Sequence, residues 1–308
     1  MPQTNQRILN AIKGGLPKAR RTIFWLLKLI IPISLGVRLL QYSGLLDYVS
    51  VVLNPLFQAV GLPGASSIAF VCSIFMPLYA PIAIIGTMGL TVRQMTILAI
   101  MCLISHNTLV ESAVQKRTGS SYFFVLGLRI FMSFLAAFVW NLMLPENLGG
   151  AVMSAVSKDV ATDLSQVLLV WAKGAVELCL KMAVIVTVLM ILQRLLEEFH
   201  IMDLISRFCA PMMRFMGLSK NCSFLWFVAN IVGLTYGSAI LIEQVEDQKI
   251  SRIDARMLNN HLAISHSLLE DSLIFVAIGV PAFWIIIPRV LLAIIVVWVI
   301  RGVSALVR

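Results

Sequence analysis

Two short segments of this 308-residue chain repeat one pattern of ionisable residues inside apolar surroundings. The first reads Ile-Ser-His-Asn-Thr-Leu-Val-Glu-Ser over residues 104–112, and the second reads Ile-Ser-His-Ser-Leu-Leu-Glu-Asp-Ser over residues 264–272. Five of the nine positions are identical, and Glu111 corresponds to Asp271. Histidines and carboxylates are costly inside a membrane, where they mark the paths of ions and solutes. The duplicated motif therefore predicts a solute pathway.

The side chains of the two motifs suit three kinds of chemistry. Two imidazoles with two or three carboxylates could bind a divalent cation, carry protons near neutral pH, or hydrogen-bond a polar organic solute. A structural clamp between helices is the remaining alternative. The candidate substrate-binding residues of the motifs are Ser105, His106, Asn107, Glu111, Ser265, His266, Ser267, Glu270 and Asp271. The alternative metal site would use His106, Glu111, His266, Glu270 and Asp271.

Three further candidates lie beside predicted backbone breaks. Tyr79 follows Met76-Pro77, and Thr235 and Tyr236 follow Gly233. Either tyrosine could stack on a ring-bearing solute, although aromatic packing is the simpler interpretation. We include all three residues in the predicted substrate site.

Arg129 and Arg289 occupy equivalent places in the last apolar run of each half of the chain. A buried arginine could balance an anionic substrate or pair with Glu111 or Asp271. Either side chain could instead extend to the membrane interface. Both arginines are therefore candidates for an anion site or an ion pair.

The composition predicts an all-α polytopic membrane protein. The chain is 59% hydrophobic and 13% charged, whereas soluble domains average roughly 45–50% and about 25%. A helix needs about 20 apolar residues to cross a bilayer. Mostly apolar runs cover residues 22–41, 64–90, 94–115, 121–143, 167–193, 221–242, 257–278 and 280–300.

Other classes of protein are disfavoured by the same composition. The net charge of +9 comes from basic residues at the ends of apolar runs, which is typical of membrane orientation and gives no basic face for nucleic acid. The five cysteines form no C-x-x-C pair, and no P-loop or His-Glu-x-x-His motif occurs. We therefore expect a chain that is not an enzyme, binds no nucleic acid and carries no resident cofactor beyond a coupling proton or cation.

Landmarks recur in the same order in two halves of the chain. Asn54-Pro55-Leu56 corresponds to Ala210-Pro211-Met212, and the Ser-His motifs and the arginines follow in each half. The predicted divisions are an amphipathic cytoplasmic N-terminal helix at 1–21, repeat 1 at 22–143, an external linker at 144–166 and an inverted repeat 2 at 167–308.

The distribution of lysine and arginine predicts that the two repeats are inverted. Residues 1–28 carry six basic groups and no acids, so they should lie in the cytoplasm. Residues 41–65 carry no lysine or arginine, whereas their counterpart, 194–220, carries four. Matching segments thus fall on opposite sides, and both termini are expected in the cytoplasm.

An inverted pair requires each repeat to cross the membrane an odd number of times. We therefore predict about three spanning helices per repeat, an amphipathic surface helix (45–60 and about 197–216) and a re-entrant hairpin. Two prolines four residues apart in Met76–Pro81 cannot continue a regular helix, so 64–90 is the favoured hairpin, with 221–242 as its counterpart. The alternative is that 94–115 folds back at its Ser-His motif.

The motifs also carry a family resemblance. Gly61-Leu62-Pro63-Gly64 before a hairpin and Ser-His-x-x-x-x-Glu/Asp-Ser resemble the nucleoside-recognition (Gate) domain membrane proteins, which include the spore-maturation A and B proteins and the membrane part of ferrous-iron transporter B. The order of elements also resembles concentrative nucleoside transporters, but their Asn-Glu-Phe-Val signature is absent. The resemblance implies a bacterial cytoplasmic (inner) membrane protein that forms homo-oligomers or pairs with another Gate protein.

The leading functional hypothesis is a secondary transporter of a small, polar, nucleoside-like solute. It would bind the solute between the hairpin tips and the two Ser-His motifs, with alternating access and a proton as the coupling ion. One alternative is a divalent metal ion transporter. Another is a non-transporting membrane scaffold or partner subunit.

Overall fold

The chain folds into helices, as its apolar runs predict. The computed structural model describes residues 4–43, 45–148, 163–199, 201–231, 233, 241–242, 244–246 and 248–306. Within these residues four helical stretches are long and apolar enough to cross a membrane, and no strand occurs. These stretches are Val92–Arg117, Tyr122–Met143, Leu164–Leu196 and Ala282–Leu306. The predicted all-α polytopic membrane class is confirmed.

Seven helices form the described part of the first half. They are α1 (Thr4–Tyr42), α2 (Leu45–Ala59), α3 (Ser66–Phe75), α4 (Tyr79–Ile85), α5 (Val92–Ser105), α6 (Thr108–Arg117) and α7 (Tyr122–Met143). Helix α1 joins the predicted N-terminal helix 1–21 and the first apolar run without a break.

The second half has six longer helices with described bounds, one short 3₁₀ turn, Lys220–Cys222, and helical residues at 241–242 and 244–246. The helices are α8 (Leu164–Glu198), α9 (Ile201–Phe215), α10 (Ser223–Ile231), α11 (Arg252–Ser265), α12 (Glu270–Ala277) and α13 (Ala282–Leu306).

The first helices of the two halves, α1 and α8, pack side by side and run antiparallel. Arg7 near the start of α1 pairs with Glu198 at the end of α8, with Nε and Oε1 2.9 Å apart. Farther along, the Trp171 indole N–H donates to Ser34 Oγ at 3.1 Å. Apolar residues cover the outer faces of this pair and of α7 and α13, as expected of surfaces that contact lipid.

The helix that precedes the Tyr79 segment stops at the proline pair. Helix α3 ends at Phe75, and Met76 is extended (φ −126°, ψ 155°), because the residue before a proline is disfavoured in the α region. In the second half α10 ends at Ile231, two residues before Gly233, whose φ is +101°. The rest of that predicted tip, with Thr235 and Tyr236, lies outside the described residues.

The two Ser-His motifs interrupt their helices in the same way. His106 and His266 are extended, with φ/ψ of −61°/147° and −62°/160°. The next residues, Asn107 and Ser267, are left-handed, with φ of 49° and 51°. A left-handed residue that is not glycine costs roughly 1–2 kcal/mol, so the surrounding structure must enforce both breaks.

Backbone hydrogen bonds join each Ser-His break to the end of a neighbouring short helix. Asn107 N–H donates to Ser73 O (2.8 Å) and Met76 O (3.2 Å), and Ser267 N–H donates to Ala229 O (3.0 Å). Broken helices at membrane depth need such partners, because no water is available to the freed backbone groups. In each half the break at the Ser-His motif therefore lies against a neighbouring short helix, α3 in the first half and α10 in the second. Re-entrance of the hairpins and inversion of the repeats stay predictions.

Candidate functional site

The two helix breaks bring one histidine from each half together inside the protein. His106 Nε2 and His266 Nε2 are 3.2 Å apart, and the ring centroids are 4.8 Å apart. Both side chains are buried, with 6% and 0% of their surface exposed. Residues 160 positions apart in the sequence thus meet inside the protein.

Hydrogen bonds to the backbone fix which ring nitrogen faces the partner histidine. His106 Nδ1 lies 3.1 Å from Leu103 O, and His266 Nδ1 lies 2.8 Å from Leu262 O. A carbonyl oxygen only accepts hydrogen bonds, so each Nδ1 carries a hydrogen, and each neutral ring presents a bare Nε2. Two bare nitrogens at 3.2 Å repel unless a positive species lies between or beside them. The pair is therefore arranged to hold a proton or a cation.

Carboxylates complete the cluster, and each contacts the histidine of the other half. Glu111 Oε2 lies 3.2 Å from His266 Nε2, and Asp271 Oδ2 lies 3.3 Å from His106 Nε2. Glu111 also approaches His106 of its own half, at 3.7 Å. Both carboxylates are in the first turn of a short helix, α6 or α12, where the helix dipole stabilises negative charge.

Two fully buried arginines support the breaks from behind. Arg129 donates from Nε to Ile104 O (2.7 Å) and from Nη2 to His106 O (2.7 Å). Arg289 makes the equivalent bonds to Ile264 O (3.0 Å) and His266 O (2.5 Å). These carbonyls are among those that a helix end leaves without partners, and a cation is favoured there. Neither side chain extends to the membrane interface, since both are 0% exposed.

The arginines differ in how they treat the carboxylates. Arg129 Nη1 donates to Glu111 Oε2 at 2.5 Å. The corresponding Arg289 Nη1 has no hydrogen-bond partner, and neither has Asp271 Oδ2. Aspartate is one methylene shorter than glutamate, so its carboxylate stays beside His106 and is not drawn to the arginine. The ion pair that the sequence offered as one role for these arginines is thus formed by Arg129 and Glu111, and not by Arg289 and Asp271.

Among the remaining candidates, Tyr79 and Glu270 lie beside the cluster. The Tyr79 hydroxyl donates to Glu270 Oε1 at 3.1 Å, which links α4 of the first half to α12 of the second. A side chain on Gly233 would come within 3.6 Å of Ser267 Oγ and 4.0 Å of Glu270 Oε2. The described end of the second predicted hairpin therefore lies next to these two residues.

The two motif serines bind neighbouring polar groups and do not join the His-carboxylate cluster. Ser105 Oγ lies 3.0 Å from Ser73 Oγ on α3, and Ser265 Oγ lies 2.8 Å from His261 Nδ1 one turn earlier on α11. Asn107 and Ser267 supply the left-handed backbone of the breaks.

Two buried polar residues near the site were not among the sequence predictions. Ser73 bridges α3 to Ser105. His261, which is 0% exposed, accepts a hydrogen bond from the Trp226 indole N–H at 3.3 Å. Its spacing of five from His266 was the available signal, but its counterpart in the first half is Met101, so the repeat comparison does not find it.

Comparison with known proteins gives one family and one curated relative. The Gate family, described as nucleoside recognition, matches residues 23–122 and 179–280, which together exceed half of the chain. The "Uncharacterized membrane protein YvoD" of Bacillus subtilis (strain 168) is 31% identical over 283 residues, which cover 91% of each chain. No solved structure matches the chain.

Proposed function

We propose that this chain, which belongs to the Gate (nucleoside-recognition) family of membrane proteins, is a secondary transporter of a small polar solute. The observation that carries the proposal is the meeting of the two helix breaks at His106 and His266, 3.2 Å apart. Discontinuous helices that meet at a buried polar site are typical of transporters that work by alternating access. Ionisable groups at such a site are functional candidates by default.

The arrangement supports two adjacent layers in the site. The imidazoles with Glu111 and Asp271 are buried and in mutual contact at 3.2–3.7 Å, so only a small cation fits among them. Asn107 and Glu270 are partly exposed. We assign the cluster to the coupling cation and the neighbouring polar side chains to the organic solute.

The proposed solute is nucleoside-like, in keeping with the family's description. The buried Tyr79 would lie beside its ring, and Glu270, which accepts a hydrogen bond from the Tyr79 hydroxyl, would bind a sugar hydroxyl or a base N–H. Aromatic faces and charge-assisted hydrogen bonds suit this class of compound. Thr235 and Tyr236 keep their place in the proposal as residues of the second hairpin.

The cellular setting is part of the same proposal. The protein would lie in a bacterial cytoplasmic membrane with both termini in the cytoplasm, the linker 144–166 outside and the two repeats inverted. It would act without enzymatic activity or a resident cofactor, as a homo-oligomer or with another Gate protein.

A thermal-shift screen of purified protein tests the proposal. The wild type and a His106→Ala/His266→Ala double variant are heated with nucleosides and nucleobases at two pH values. A ligand that binds only the native state raises the midpoint by mass action. We expect a hit that stabilises the wild type and that accumulates in proteoliposomes containing the wild type but not the double variant.

The alternative of a scaffold or partner subunit predicts a different result. The double variant would then lose assembly or folding, while no compound moves across wild-type proteoliposomes. A compound that shifts both proteins equally would place the solute site elsewhere.

A further inference from the structure

We propose that His106, His266 and Asp271 form a binding site for one divalent first-row transition-metal ion. This inference rests on the proposed function, which assigns the central cluster to a coupling cation. It adds the chemical class of that cation. One ligand atom from each residue lies within 4.8 Å of the others. Imidazole suits zinc, iron, nickel and copper, and two histidines with one carboxylate leave coordination positions open.

The separation of the two imidazole nitrogens fits a shared ion. A zinc–nitrogen bond is about 2.0–2.1 Å long, so two such ligands at a tetrahedral angle are about 3.3–3.4 Å apart. His106 Nε2 and His266 Nε2 are 3.2 Å apart, and Asp271 Oδ2 is 3.3 Å from His106 Nε2. Both distances correspond to neighbouring corners of one coordination sphere, and the third separation, between Asp271 Oδ2 and His266 Nε2 and within 4.8 Å, would shorten when the ion binds.

The hydrogen bonds of the two rings are those of metal ligands. A metal-bound histidine almost always donates its other N–H to a carbonyl, a carboxylate or water, which orients the ring. His106 donates from Nδ1 to Leu103 O and His266 donates from Nδ1 to Leu262 O. Both lone pairs are therefore directed into the cluster before any ion arrives.

Asp271 distinguishes a metal ion from a proton. A single proton on His106 Nε2 can be shared with either His266 Nε2 or Asp271 Oδ2, which lie 3.2 and 3.3 Å away, whereas a cation among the three atoms contacts all of them. An unpaired buried carboxylate is costly. A divalent ion satisfies all three ligands at once. Glu111, held by Arg129 at 2.5 Å, contributes negative charge beside the ion.

Cobalt(II) is the probe, because its visible absorption reports its coordination and thiolate ligands add charge-transfer bands. Purified protein in detergent is stripped with a chelator and titrated with Co²⁺. We expect one equivalent to bind the wild type with visible bands. Charge-transfer bands of thiolate ligands should be absent, since no cysteine belongs to the proposed ligand set.

Two variants and one control complete the experiment. Asp271→Asn and His106→Ala/His266→Ala should lower Co²⁺ affinity by more than the about 10–100-fold that loss of an outer-shell partner costs. His261→Ala removes a buried imidazole outside the ligand set and should keep the binding. Circular dichroism and gel filtration show that each variant is folded.

Two results would overturn the inference: no Co²⁺ binding by the wild type, or equal binding by the folded double variant. Binding in detergent does not require transport, so the two proposals fail separately. Uptake of a polar solute without metal binding would overturn only this inference. Metal binding without movement of any solute or ion would overturn only the proposed function.

Discussion

Arg289 and Asp271 make no hydrogen bond through Nη1 and Oδ2, although the equivalent atoms of Arg129 and Glu111 are 2.5 Å apart. The two halves thus use the same arginine to support a helix break, but only one arginine also holds its carboxylate. The difference follows from one methylene group in the first turn of α6 compared with α12. It leaves one carboxylate of the cluster free to bind a cation.

Exchanging the two acids tests this asymmetry. In Asp271→Glu the longer side chain can reach Arg289, so the carboxylate should leave His106. We expect Co²⁺ affinity to fall by at least about tenfold, the lower end of the loss caused by removing an outer-shell partner, although the charge is unchanged. The reciprocal Glu111→Asp should retain Co²⁺ binding. Unchanged affinity in Asp271→Glu would show that Asp271 is not a ligand.

Removing Arg129 should destabilise the protein strongly. Arg129→Gln leaves the buried Glu111 charge and two backbone carbonyls without their donor, and breaking a buried ion pair costs about 3–5 kcal/mol. Reversible unfolding in mixed micelles measures the loss. The control is Arg7→Gln, which breaks a partly exposed pair with Glu198 where the start of α1 meets the end of α8 and should change stability by no more than about 1 kcal/mol. Similar losses in both variants would contradict a supporting role for Arg129.

Asn107 has two separable roles, one in the backbone and one in the proposed solute layer. Its φ of 49° suits glycine, so Asn107→Gly should keep the fold, while Asn107→Val should cost roughly 1–2 kcal/mol because a β-branched residue resists the left-handed region. The glycine variant also lacks the amide. We expect it to unfold at a similar temperature to the wild type but to lose the thermal shift given by the solute. A full ligand response in Asn107→Gly would remove Asn107 from the solute site.

Labelling of single cysteines tests the inversion of the repeats. Positions 47 and 203 lie in corresponding helices, α2 and α9. In intact cells that express a variant lacking the native cysteines, an impermeant maleimide should label a cysteine at 47 from outside and leave 203 protected until the cells are opened. Labelling of both positions from the same side would disprove inverted topology.

The sequence predicted the parts of this structure that depend on local chemistry. Met76 before a proline stops α3, and the repetition of the Ser-His motif anticipates that His106 and His266 come together. On a continuous helix, however, His266 and Glu270 would share a face. The break at Ser267 changes this register, and Asp271 contacts His106.

Other features of the site depend on distances that a sequence does not contain. The difference between Arg129 and Arg289 reflects the reach of two acids, and the bare Nε2 atoms depend on which carbonyl meets each Nδ1. Ser73 contacts Ser105, but the comparison of the two repeats gives no indication that these residues are neighbours. These relationships become visible only once the helices are packed.

Neither half of the molecule contains the whole cluster, because Glu111 contacts His266 and Asp271 contacts His106. A bound cation would therefore link the two halves, and its binding energy would oppose their separation. Release of the ion would remove this connection between the halves. Binding and release of the ion would then control when the protein can open to the other side of the membrane.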